Sequence, residues 1–146
     1  MTFLQAVSSG PKLYRMFKGP GNLGGIGNTY AIVKDMAVDP ETPSEMFIDD
    51  ALVIDYDMEP YTALVYGQIK WSGGNTPRVN CRLVRNGSVL VTGAEVRNSS
   101  QLATASATVT VQPGDSFELW WRGEGNFFMR PTLQAGQDTF LHIEPI

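Results

Sequence analysis

The chain has 146 residues and 16.0 kDa, enough for about one domain, since single cores usually occupy roughly 100–150 residues. Charged residues make up 18% and there are 15 Gly and 9 Pro, a mix that favours strands and turns over helices. One cysteine, Cys81, and one histidine, His142, exclude an intramolecular disulfide and a zinc site built on paired imidazoles. A net charge of −4 with pI near 4.9 speaks against nucleic acid as a partner, because such binding rests on Lys and Arg neutralising phosphates. No apolar run reaches the ~20 residues that span a bilayer, and Met1–Val7 lacks the basic start and apolar stretch of a signal peptide. A chain made in a cytoplasm, with no membrane partner, is the expectation.

Charge is segregated along the sequence. Residues 1–34 carry Lys12, Arg15, Lys18 and Lys34 and no acid, whereas residues 35–61 carry nine acids and no base. Within residues 1–29 glycine and proline recur at Gly10, Pro11, Gly19, Pro20, Gly21, Gly24, Gly25 and Gly27, too often for a regular element to propagate. This predicts an extended Gly/Pro-rich arm over 1–29, preceding a domain over 30–146. The arm also holds Phe3, Leu4, Leu13, Tyr14, Met16, Phe17 and Ile26, too apolar for a solvated linker. Either it folds back over its own domain or it lies on a neighbouring subunit, and the second reading is favoured. On that reading Leu13, Tyr14, Arg15, Met16, Phe17 and Lys18 belong to a partner interface. Lys12, Arg15 and Lys18 would face acidic residues 49–59 of an adjacent copy, and a chain lacking residues 1–28 would still fold.

From Tyr30 onward, short apolar runs and period-two alternation predict strands at Tyr30–Lys34, Met46–Ile54, Tyr61–Trp71, Val79–Val84, Val89–Thr92, Leu102–Val111, Phe117–Arg122, Phe127–Leu133 and Thr139–Ile143. The strongest local signal is Asn86-Gly87 between two such runs, the signature of a two-residue type I′ hairpin. Further reversals are marked at 72–75, 112–115, 123–126 and 134–137 by Gly, Pro, Asn and Asp. No segment carries a capped 3.6-residue apolar stripe. The expected class is all-β, a jelly roll or β-sandwich. Ala103–Val111 alternates small apolar with hydroxyl residues, so one face should pack and the other should meet water or another chain.

Candidate chemistry is sparse. Gly19-Pro20-Gly21-Asn22-Leu23-Gly24 spells G-x-G-x-x-G, but no strand leads into a helix there, so no nucleotide cofactor is expected. Asp49-Asp50 and Asp55, Asp57 and Glu59 lack the spacing of a calcium loop, and nothing selects two of the acids as a glycosidase pair. Cys81 reads as a buried structural thiol. His142, between Leu141 and Ile143, should face outward and contact another chain near a symmetry axis. Because adjacent strand residues point to opposite faces, one of Trp120/Trp121 and one of Phe127/Phe128 should leave the core and join the partner interface. Such aromatics serve protein contact or sugar binding, and protein contact is favoured. No catalytic residue, metal site or cofactor is expected.

In the C-terminal half, Arg82–Ser88, the alternating Ala105–Val111 strand, Val111–Trp120 and Ala135–Pro145 resemble minor tail proteins of tailed phages that infect actinobacteria. Their recurrent features are an "RNG" hairpin, a "V.pGD..ELW" strand pair and a closing "Ag..TfL.I.P" strand. The closing strand and its preceding turn are also similar to trimeric jelly rolls of the tumour-necrosis-factor and complement-head type. The resemblance covers about residues 61–146. It implies a non-enzymatic structural protein of a virion, made in the host cytoplasm. Most directly it implies a homotrimeric minor tail protein at the tail tip, with the last strand near the threefold axis. Its partners would be other virion proteins and copies of itself, with a host-surface glycan also open. Capsid decoration protein or head fibre, and more distantly carbohydrate-binding module, are the alternatives.

Overall fold

A computed structural model describes residues 12–22, 27–43, 46–73, 78–97, 101–124 and 131–146. Twelve strands make up the described fold: β1 (Tyr14–Lys18), β2 (Gly27–Ile32), β3 (Met36–Val38), β4 (Phe47–Ile48), β5 (Ala51–Val53), β6 (Tyr61–Ser72), β7 (Arg78–Arg85), β8 (Ser88–Thr92), β9 (Leu102–Val111), β10 (Ser116–Glu124), β11 (Thr132–Leu133) and β12 (Gly136–Pro145). They form two antiparallel sheets. In the first, β3, β1, β12 and β6 run side by side, with β9 on the far side of β6 and β11 on its end. In the second, β10 lies between β7 and the pair β5 and β2, with β8 and β4 outermost. The architecture is a jelly roll.

The two sheets press together a core that includes Trp71, Trp121, Phe117, Leu83, Leu119, Ile69, Leu141 and Ile143, all at most 1% exposed. Alternation along β6 and β12 sends every second residue inward, as period-two patterning requires. Gly67 lets the sheets approach closely, since a Cβ there would sit 2.7 Å from Leu83 Cδ2 and 2.8 Å from Leu119 Cδ1. Asn86 and Gly87 adopt φ of 50° and 82°, so the β7–β8 hairpin turns as its sequence predicts.

Two expectations are corrected here. Residues 14–18 are no detached arm, because β1 is hydrogen-bonded on one side to β12 and on the other to β3. Tyr14 and Met16 are fully buried in this chain's own core and Lys18 is 1% exposed. These three therefore cannot serve a partner surface, and the jelly roll takes in β1 and β2 rather than starting at residue 30. The burial of Lys18 is met by its ammonium donating to the carbonyls of Gly19 (3.1 Å) and Asp35 (3.5 Å). Removing residues 1–28 would delete β1 from within its sheet, which argues against the expectation that such a chain folds.

The run 46–54 is the other correction, being two short strands and not one. Asp49 and Asp50 both have positive φ, 50° and 63°, and make a tight turn that pairs β4 with β5. Asp tolerates this left-handed region better than most residues, and the Asp50 carboxylate is held by accepting from the Met36 N–H at 2.9 Å.

Candidate functional site

The outward face of the first sheet is built where three long strands meet in register. Arg15 of β1 lies opposite His142 of β12, His142 opposite Tyr66 of β6, and Tyr66 opposite Ser106 of β9. The neighbouring row runs Phe17, Phe140, Gln68, Thr104. Tyr66 and Phe140 stack with centroids 5.8 Å apart and planes 17° off parallel, and His142 tilts against both at 5.5 and 5.1 Å. The Arg15 guanidinium lies over the Phe140 ring at 5.1 Å. It donates to the Gln137 side chain at 2.8 Å and backbone carbonyl at 3.1 Å, and pairs with Asp39 at 3.5 Å. These side chains are half-buried, with the hydroxyl residues Thr104, Ser106 and Thr108 exposed beside them.

Burial pushes the His142 imidazole below its ordinary value; the Glu144 carboxylate opposes this and Arg15 adds to it. The ring is therefore neutral near pH 7, and Arg15 already has its own partners. The face is a half-buried aromatic patch on which Arg15 pairs with Asp39 and Lys70 with Asp138, with the exposed Glu144 carboxylate at its edge.

His142, Phe17 and Arg15 share this face, and Leu13 is 46% exposed. Of the tryptophan pair, Trp121 is 1% exposed in the core and is withdrawn from the partner interface. Trp120 points out from the other sheet. Phe127 and Phe128 lie outside the described residues. Tyr66 and Phe140 escaped the sequence reading, although the inward pattern of Leu141 and Ile143 already sends Phe140 outward.

The acidic segment is answered from within the same chain. Lys12 pairs with Asp55 at 3.9 Å, and the Asp55 carboxylate also accepts from the Asp57 N–H at 2.9 Å. No adjacent copy is needed for these contacts, and among the described residues no group of three acids, histidines or cysteines is placed to hold a metal. Cys81 is buried in β7, where desolvation pushes its thiol up to about 12, too high for a nucleophile near neutral pH.

Asp115 is the strongest ionic anchor described. Arg85 reaches it with two donors at 2.6 and 3.1 Å, Asn86 donates at 2.8 Å and the Gln112 N–H at 2.8 Å. Burial alone would raise its carboxyl; the bonds from Asn86, the Gln112 amide and Arg85 outweigh this and hold it below the usual value. It ties the β7–β8 hairpin to the β9–β10 turn, a structural task.

No family model and no curated protein matches the chain. Among solved structures it is similar to Eiger TNF from S. frugiperda, with TM-score 0.63 and 14% identity over 91% of each chain. It is also similar to murine APRIL, with TM-score 0.59 and 12% identity over 92% of this chain and all of that one. At such identities the likeness establishes the fold, a jelly roll of the TNF kind, and nothing finer.

Proposed function

We propose that this chain is a non-enzymatic structural protein of a tailed-phage virion, a minor tail protein at the tail tip that works as a homotrimer. The observation that carries self-association is the Tyr66, Phe140 and His142 patch on the first sheet, with the closing strand β12 at its centre. Half-buried aromatic residues suit contact between identical copies, since a symmetric interface sets like groups close together. Membership of a virion rests on the resemblance of residues 61–146 to phage tail proteins.

Two measurements test this reading. Sedimentation equilibrium of the purified chain should give three times 16.0 kDa, and a monomer at about 100 μM, weaker than ordinary specific association, would end the trimer. Mass spectrometry of separated tails and capsids should find the chain with tails. Recovery from capsids would move it to a decoration role, and absence from both would remove it from the virion.

A further inference from the structure

The second sheet turns a different surface outward. Its register pairs Trp120 of β10 with Arg82 of β7 on one side and with Ile32 of β2 on the other. Here a groove of about 370 Å³ is lined by Tyr30, Arg82, Val84, Val89 and Trp120, with Gly87 of the β7–β8 turn at one end. That volume falls within the roughly 300–1,000 Å³ of small-molecule sites.

Arg82 is the odd member. Its guanidinium carbon lies 3.4 Å from the centre of the Tyr30 ring, and its Nε is buried with no hydrogen-bond partner. Arg15 pairs with Asp39, Arg85 with Asp115 and Arg122 with Glu95, although the Arg122 Nε is likewise buried without a partner. No carboxylate lies within ion-pair reach of Arg82 among the described residues. Its neighbours are nevertheless fixed. The Asn80 amide donates to the Tyr30 hydroxyl, Arg122 lies 5.1 Å from the same ring, and the Trp120 indole N–H donates to Glu118 at 3.0 Å.

A half-buried guanidinium whose Nε has lost water without gaining an acceptor favours an incoming anion, and its planar fork favours a carboxylate. Apart from Thr29 the rest of the lining is apolar and aromatic. Because the groove lies over the face of the sheet, where β7 and β10 bond each other, an extended peptide lying in it would not add to their ladder. An indole beside one cation, in a shallow groove, matches a sugar ring with an apolar C–H face and an acidic substituent.

We propose that this groove binds a carboxylate-bearing saccharide, with Arg82 taking the carboxylate and Trp120 stacking on the ring. The site is on the opposite sheet from the aromatic face, and does not depend on the virion or trimer reading.

The test is nitrogen-15 NMR of the full chain titrated with trigalacturonate and, separately, with a neutral galactose trisaccharide. The expected result is saturable shifts at the Trp120 indole N–H and the Arg82 Nε–H, with the acidic sugar bound about tenfold more tightly and weakened by salt of about 0.5 M. Arg82→Gln should remove that preference, Arg82→Lys should keep part of it, and Trp120→Ala should weaken both sugars about tenfold. Unchanged amide spectra of the first sheet would show that each variant is folded. If Trp120→Ala disturbs folding, Trp120→Phe reads the same stacking with a smaller loss. Equal binding of acidic and neutral sugar, wild-type binding by Arg82→Gln, silence of the groove, or shifts there from a glutamate-rich hexapeptide but not from the sugar would each overturn the proposal. The molecular mass of the sample in the same tubes reads self-association separately.

Discussion

The two sheets present outward faces of the same architecture and opposite electrostatic condition. On the first, Arg15 spends its charge on Asp39, Gln137 and the Phe140 ring, and the aromatic cluster around His142 is neutral. On the second, Arg82 sits against Tyr30 with its Nε unpaired among the described residues, beside a largely apolar groove. A cation paired with carboxylates lets a face be covered by a copy of itself, whereas one with an unpaired N–H favours an incoming acceptor, an anion most strongly. Strand alternation makes both faces available, and the register of neighbouring strands decides which charges find partners.

The comparison breaks most completely if β1 is taken away. A chain beginning at residue 19 should lose cooperative thermal unfolding altogether, because β12 and β3 are then left without the strand between them. Tyr14→Ala, a milder form of the same test, should cost about 3–5 kcal/mol in denaturant unfolding, the usual range for a large buried aromatic. A chain without β1 that melts cooperatively would show that the first sheet closes without it.

The first face alone is broken by Phe140→Asp, which sets a carboxylate within the aromatic patch. Self-association should weaken by about a hundredfold, some 2.7 kcal/mol, while sugar binding at the groove stays unchanged. Loss of both together would mean that the two faces are not independent. A sharper control is Asp115→Asn, which strips Arg85 of its carboxylate. It should cost about 1–3 kcal/mol of stability and leave both the sedimentation and the sugar titration as in the parent chain.

The smallest effect is one of pH. His142 titrates below its ordinary value in the folded chain, so the unfolded chain binds its proton first as pH falls. Stability linked to this group is present above the unfolded value of about 6.5 and declines as pH drops through the folded value. Protonation also sets an imidazolium beside Arg15, with only Glu144 in opposition, so association should weaken over the same range. His142→Phe should flatten that limb. Asp115, also lowered, should give a second loss that begins only below about 3.9.

Much of this was readable in the chain. Asn86-Gly87 specifies its hairpin locally, because few residues other than Asn and Gly accept φ above zero twice in succession. The alternation in Leu102–Val111 spans the whole of β9, where Ala103 and Ala105 are buried and Thr104 and Ser106 exposed. Long strands repeat their pattern often enough to be recognised. By contrast β1 is five residues between Gly/Pro clusters, and the charge on Lys18 falls at an inward position, which hides the period. Met46–Ile54 hid a turn, because Asp49-Asp50 lacks the glycine that usually announces positive φ.

The sequence by itself determined the all-β class, the long strands and the principal hairpin, since those follow from side-chain period and turn chemistry within a few residues. Only the tertiary structure decided that β1 belongs to the jelly roll, because Arg15 and Gln137, joined by a hydrogen bond, are 122 residues apart along the chain. The same holds for the meeting of Arg82 with Tyr30 and Trp120. Strands far apart in sequence bring them together, and a shift of one residue in register would send them to opposite faces.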